Sequence, residues 1–518
     1  MPMNSGEGGG SMNLNQGRAR VPLGDKPAGK LKRALSRVRP VRSPEKLGYP
    51  ELLVLSGLRK EGCPICHTVS GSEREYFFRF FYESYREAEV LKELSCSLGF
   101  CRSHAYYLTG RGNGRSQLAT VHKSLAHRLR TSLLGYPSGK SWKDGLGGSR
   151  ESSGRCPACR ARDEAVERAA FFLTKLIEDQ RTADHYAEPG LLCLPHLRLI
   201  APRLDNVTLE RLLTIHEAAM ASTLSALGKV DVVEPLNSES VFASALHLAV
   251  GHNRGLGGFA PLVGGEQISP PGDPVERLVR NMSRTDACPI CLEVGRAWLD
   301  WIAWLNMAAQ RSENIEDVLP RCPDHVWAVL PFARLSLARW VAEKALEVAL
   351  IRVRFVIKKF QEKPPPPDFK HPIQALMTTV RGGKSFIRVG RDTLARDFHC
   401  PVCNLLNTLR DRSLLLLVRL LEQNHQRARF EAGYGLCLKH FARAFAFELD
   451  SSVGEFLCQV QAAKLGVLEW ELEEYSRKSA WQARPEPKGA EFHAYLRALR
   501  RFSGCLKPDS TGAGNRVI

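Results

Sequence analysis

Long apolar runs are missing from this 518-residue chain. A membrane-crossing helix needs about 18 or more apolar residues in a row. The best run here, Leu414 to Val418, meets Arg419 at once. No apolar segment of the signal-peptide type stands near the start, so the expectation is a soluble, cytoplasmic protein without membrane insertion. Strand signals are sparse. The common catalytic signatures G-x-G-x-x-G, G-x-S-x-G and H-E-x-x-H are absent. Gly382-Gly383-Lys384-Ser385 looks like the end of a phosphate-binding loop, but Thr378 stands where that motif requires glycine. It reads as linker. Acidic residues are in short supply, 55 against 73 Lys and Arg, for a formal net charge of +18.

Cysteine is not scarce. There are fifteen, and in a reducing compartment clustered cysteines favour metal or redox chemistry over structural disulfides. Twelve of them fall into a pattern that occurs four times. Unit one has Cys63-Pro64-Ile65-Cys66 and then Cys101-Arg102-Ser103-His104. Unit two has Cys156-Pro157-Ala158-Cys159 and then Cys193-Leu194-Pro195-His196. Unit three has Cys288-Pro289-Ile290-Cys291 and then Cys322-Pro323-Asp324-His325. Unit four has Cys400-Pro401-Val402-Cys403 and then Cys437-Leu438-Lys439-His440. The intervening stretches are 34, 33, 30 and 33 residues long. Cys96, Cys458 and Cys505 stand outside the pattern.

Three thiolates and one imidazole make a closed tetrahedral zinc site. Cys-x-x-Cys places two sulfurs on one tight turn, and proline after the first Cys pre-sets φ for it. Cys-x-x-His suits a helix start, where positions i and i+3 share a face and the positive helix end favours thiolate. Each copy is therefore expected to form one Cys3His zinc site. A helix of about 15 residues covers roughly 22 Å, and the rest of each stretch is long enough to return, so the metal would close the open end of a helical hairpin. Four structural Zn²⁺ ions are expected, with an iron–sulfur cluster as the less favoured cofactor. A dithiol redox motif leaves the matching Cys-x-x-His pairs unexplained. Haem attachment fits only Cys63 to His67, because Arg160, Leu292 and Asn404 replace His67 in the other units. No catalytic residue and no organic cofactor site is expected.

The repeats resemble a family of uncharacterised prokaryotic proteins, a domain of unknown function whose members carry Cys-Pro-x-Cys, a helical stretch and Gly-[Phe/Leu]-Cys-x-x-His. Gly99-Phe100-Cys101 and Gly435-Leu436-Cys437 match closely. Unit two shifts its glycine to Gly190, and unit three has Leu319-Pro320-Arg321 before Cys322. The resemblance implies metal ligation and brings no activity with it. By the same token unit three is expected to hold metal least firmly.

Helical periodicity runs through the stretches, as at Val166, Ala170, Leu173 and Ile177. Second apolar helices are expected near 207–227, 332–360 and 453–478. The fold class is thus mostly α, a tandem array of four zinc-stapled helical units. They are placed at 51–135, 150–230, 276–361 and 396–482, with linkers at 231–275 and 362–395. A disordered basic arm (1–50) has ten Lys/Arg against three Asp/Glu, and a basic tail covers 483–518. The leading functional expectation is a non-enzymatic zinc-repeat scaffold for an unknown macromolecular partner, a protein first. The alternatives are a nucleic-acid-binding or regulatory protein using the basic surface, and a thiol-redox or metal-handling protein.

Overall fold

The computed structural model describes residues 49–109, 114–136, 155–178, 190–229, 235–252, 273–362 apart from 312 and 314, 394, 399–483 and 485–505. Residues 1–48 of the expected basic arm (1–50), the Gly382 to Ser385 stretch and the end of the tail lie outside the described residues, and residues 49 and 50 of that arm are helical rather than disordered. What is described is helical throughout, with no strand among the described residues. None of these helices is long and apolar enough to cross a membrane.

The first half of the chain forms α1 (Tyr49–Leu58), α2 (Pro64–Arg79), α3 (Ala88–Cys96), α4 (Arg102–Thr109), α5 (Arg115–Leu134), α6 (Pro157–Glu178), α7 (Leu194–Ile200), α8 (Asn206–Gly228) and α9 (Pro235–Val250). The second half forms α10 (Pro274–Met282), α11 (Pro289–Gln310), α12 (Pro323–Val329), α13 (Leu335–Gln361), α14 (Pro401–Leu420), α15 (Asn424–Ala432), α16 (Leu438–Ala444), α17 (Ser451–Lys478) and α18 (Ala494–Ser503). The expected second helices near 207–227, 332–360 and 453–478 are α8, α13 and α17.

Side-chain chemistry fixes where these helices begin. The α8 N-cap, Asp205, accepts a hydrogen bond from Thr208 N–H, and Asp273 and Asp450 cap α10 and α17 in the same way. In α2, α11 and α14 the N-cap is the first Cys of Cys-Pro-x-Cys, with proline as the first helical residue. Proline has no N–H to leave unpaired there, and its fixed φ suits the first turn.

Two apolar cores hold the helices, and the units are interleaved between them. One core takes the far end of α2, then α3 to α5, the starts of α6 and α11, and the chain from mid-α14 to α18. The other takes α1 and the start of α2, most of α6, then α7 to α9, the far end of α11, α12, α13 and the start of α14. Each of the four long helices after Cys-Pro-x-Cys therefore starts in one core and ends in the other. Within each half these helices lie side by side and antiparallel, α2 on α6 and α11 on α14.

The halves repeat one another. α1 packs on α2 as α10 packs on α11, α9 packs on α13 as α18 packs on α5, and α8 pairs with α13 as α17 pairs with α5. In the α5–α17 seam Leu118, Leu125 and Leu129 meet Val453, Leu457, Leu465 and Leu472, all buried. The helices after the Cys-x-x-His motifs thus join unit one to unit four and unit two to unit three. Two stretches expected to be joint and tail are structural. α9 lies in 231–275 and α18 in 483–518, and both bury an apolar face.

Candidate metal centres

Each site is built where two helices begin. Cys63, Cys288 and Cys400 have extended backbone (φ −74°, −63° and −81°) and open α2, α11 and α14. Cys193, Cys322 and Cys437 have the same kind of backbone and open α7, α12 and α16. Cys-Pro-x-Cys, expected as a turn, is therefore a helix start as well. Unpaired N–H groups of the first helical turn and the positive end of the helix favour thiolate at both pairs. The glycine of the Gly-[Phe/Leu]-Cys motif also has a backbone role: Gly99 and Gly435 have φ of +79° and +77° on entry to the second pair.

All sixteen residues named from the sequence come together in four sets of three sulfurs and one imidazole. They do not come together unit by unit. Cys63 and Cys66 meet Cys193 and His196 (site A). Cys101 and His104 meet Cys156 and Cys159 (site B). Cys288 and Cys291 meet Cys437 and His440 (site C). Cys322 and His325 meet Cys400 and Cys403 (site D). Every site joins two units, so the hairpin closure expected from the spacing is corrected. The cause is helix length. α6 and α11 have 22 residues each, and at 1.5 Å per residue they carry the chain about 33 Å into the other core. The next Cys-x-x-His forms there, beside the start of the antiparallel neighbour. Unit three has no centre of its own to be weak, because its ligands are divided between sites C and D.

The geometry of each set suits a tetrahedral ion. With Zn–S near 2.3 Å and Zn–N near 2.0–2.1 Å, tetrahedral edges come to about 3.8 Å between sulfurs and about 3.6 Å from sulfur to nitrogen. One sulfur–sulfur edge in each site measures 3.6 to 3.9 Å: Cys66–Cys193 3.9 Å, Cys101–Cys159 3.6 Å, Cys291–Cys437 3.8 Å and Cys322–Cys403 3.7 Å, and all ligand atoms of a site lie within 4.8 Å of one another. His196 Nδ1 lies 3.2, 3.4 and 3.2 Å from Cys63, Cys66 and Cys193. His440 Nδ1 lies 3.4, 3.5 and 3.3 Å from its sulfurs. The corresponding distances span 3.2 to 3.6 Å at His104 and 3.1 to 3.8 Å at His325. In every site Nδ1 faces the sulfurs.

The electrostatics are compatible with a bound cation. In site A, hydrogen bonds from Cys193 and Cys63 hold the Cys66 thiol far below its usual range, while burial pushes Cys193 far above. Site D divides in the same way: the bond from Cys322 takes Cys400 down to about 2, and Cys322 is driven up. Three sulfurs this close cannot all be anions by themselves. A divalent cation between them lets all three ionise. Burial alone would lower His104, but its bonds with Cys101, Cys156 and Glu73 carry it up to about 11.

Three charged residues with no place in the repeat pattern complete the picture. Glu73 Oε1 lies 3.3 Å from His104 Nε2, so a buried carboxylate backs the imidazole whose Nδ1 faces the sulfurs. Such a carboxylate fixes the tautomer and raises ligand basicity. The equivalent position in unit three is Trp298, whose ring stands 5.5 Å from that of His325. Arg102 Nη2 donates to Cys291 Sγ of site C at 3.9 Å. Lys439, next to His440 of site C, donates to Ser97 O at 2.7 Å on the site B side. Burial pulls its ammonium down, while the Cys156, Cys101 and Cys437 sulfurs oppose that. Two cations therefore stand between sites B and C. The aligned positions beside sites D and A are Pro323 and Pro195. The one available signal was positional: units one and four carry charge inside Cys-x-x-His, and units two and three offer no cation there.

His216, a stray histidine in the sequence, is buried and makes ring contacts with Leu212 O and Leu192 O at 2.7 and 3.0 Å. It lies outside the four metal-ligand sets. In the Tyr76 to Tyr85 cluster, Phe77, Phe80 and Phe81 are buried in the core. No family model, curated protein or solved structure matches the chain.

Proposed function

We propose that this chain is a non-enzymatic zinc scaffold, in which four structural Cys3His ions lock paired helical units into one frame for a protein partner. The observation that carries the reading is that each site has four protein donors within 4.8 Å of one another, with one sulfur–sulfur edge per site at 3.6 to 3.9 Å. No position is left open for a substrate or a reactive water, which separates structural zinc from catalytic zinc. Zinc suits the donor set: thiolate and imidazole, closed and four-coordinate. The resemblance to the Cys-Pro-x-Cys family belongs with this reading.

A partner surface is supported by exposed apolar residues on the helices that join the units. Val348, Ile351 and Phe355 lie along one stripe of α13, with Ile351 64% exposed. Val467 and Trp470 are exposed on α17. Neighbouring exposed apolar residues of this size are a usual mark of protein contact.

The test is elemental analysis with native mass, followed by chelation. Four zinc ions per chain are expected. Their removal should lower the helical signal and the melting temperature, because metal binding and folding are one equilibrium in such sites. Unchanged helicity and melting in the metal-free chain would contradict a structural role.

Nucleic acid is the second reading, favoured by net charge. Each zinc adds two positive charges to three thiolates, so four loaded sites bring +18 down to about +14. Affinity for DNA and RNA over a salt series decides it. Binding that is absent at low salt, or indifferent to salt, removes this reading.

A further inference from the structure

Of the three cysteines outside the ligand sets, Cys505 touches a metal centre. Its N–H donates to Cys291 Sγ at 3.4 Å, and its sulfur accepts from Cys288 N–H at 3.3 Å. A fourth sulfur therefore stands beside site C, tied to Cys288 and Cys291 through backbone N–H groups. Both residues are buried.

The backbone places it there. Gly504 ends α18 with φ +88°. A Cβ at that position would come within 2.9 Å of Arg102 Nη2 and 3.4 Å of Cys291 Sγ. Only glycine brings the next residue this close to the cluster. The other half has the same device: Gly251, also at φ +88°, follows α9 against Cys193 and Cys66 of site A. The contacts above match as well, since Tyr106 donates to Gly504 O at 2.8 Å and Trp327 to Gly251 O at 2.9 Å. At site A the residue after the glycine is His252 rather than cysteine. Of these two turns, only the one at site C carries an extra sulfur.

We propose that site C is an oxidation site at which a peroxide-class oxidant joins Cys291 to Cys505 as a disulfide and releases the metal. The proposal rests on site C being metal-loaded. The Cys291 thiolate attacks one peroxide oxygen, the O–O bond breaks, and the departing hydroxide takes a proton to become water. Cys291 is left as a sulfenic acid. The Cys505 thiol gives up its proton and its sulfur attacks the Cys291 sulfur. The S–S bond forms, the S–O bond breaks, and the second oxygen leaves as water. The Cys291 thiolate and the Cys505 thiol lose two electrons in total, and with one proton from solvent one peroxide becomes two waters. Cys288, Cys437 and His440 then remain as three ligands, too few for a closed site.

The experiment treats the full-length zinc-loaded chain with hydrogen peroxide. Released zinc is followed with a chromogenic chelator, and disulfides are mapped by peptide mass spectrometry. In the unsubstituted protein a Cys291–Cys505 linkage should appear in step with the first zinc released, and dithiothreitol should reverse both. Cys505→Ser and Cys505→Ala should start with the same zinc content and helicity, form no such linkage, and lose that first zinc at least about tenfold more slowly. Cys96→Ser should behave as the unsubstituted protein. Equal release rates in the Cys505 variants, a free Cys505 thiol after release, or no linkage at all would overturn the proposal. A preparation without zinc before peroxide would contradict the metal reading instead, and the linkage map would still decide the sulfur pair.

Discussion

Replacing Glu73 isolates one metal centre from the other three. Glu73 lies on α2, is 7% exposed, and sets Oε1 3.3 Å from His104 Nε2 in site B. No sulfur is touched by changing it. Glu73→Ala removes the acceptor and leaves a buried Nε2–H facing an apolar gap beside Phe77, whose ring lies 5.7 Å from His104. Loss of such a supporting partner weakens metal affinity by about 10- to 100-fold, or roughly 1.4 to 2.7 kcal/mol. Glu73→Gln keeps the volume and can present its carbonyl oxygen to the same Nε2–H, so its loss should fall at the lower end. The assay is competition with a chromogenic chelator on zinc-loaded protein, reading successive release steps, with circular dichroism to confirm the fold. One ion of four should move to weaker affinity, and Ala should move it further than Gln. If all four ions shift together, or if site B keeps its affinity in both variants, Glu73 does not support the metal through His104.

Other expectations follow from the cores and from a buried histidine. Leu125→Ala in the α5–α17 seam removes a side chain that is 1% exposed and should cost about 2–5 kcal/mol in denaturant unfolding, with zinc content retained. A cost under about 1 kcal/mol would mean that this seam does not hold units one and four together. His122 is buried against Phe502 and donates from Nδ1 to Leu118 O at 2.7 Å. Burial lowers its imidazole to about 4, below the ordinary 6.5. The unfolded chain therefore takes up that proton first, so its contribution is complete above 6.5 and is lost as pH falls towards 4, at up to about 1.4 kcal/mol per pH unit. His122→Gln keeps a donor for Leu118 O, and its stability should be flatter than that of the unsubstituted protein over this window. Parallel curves would refute the assignment.

The identity of the ligand residues could be read from the sequence, while their pairing could not. A Cys-Pro-x-Cys followed by Cys-x-x-His after 30 to 34 residues is the same text whether the chain turns back or crosses to another core. The choice lies in helix length against core spacing, a tertiary property. The positions of α8, α13 and α17 followed from their 3.6-residue periodicity. α9 and α18 carried the same signal, in Val241, Phe242, Ala245, Leu246 and Ala249 and in Tyr495, Ala498, Leu499 and Phe502. The charge and glycine around them suggested joint and tail instead. Cys505 stood outside the repeat, and only the turn at Gly504 brings it to Cys291. Glu73 was one acid among many on a helix, and its role depends on a histidine 31 residues away.

The central claim is that each metal ties two units together, and counting metal in one double variant tests it most directly. Cys63→Ser removes a ligand of unit one, and Cys193→Ser removes a ligand of unit two. Both belong to site A. The account predicts that the doubly substituted protein loses one zinc of four and keeps three, as each single variant does. Loss of two would mean that each unit closes its own site and would contradict the account.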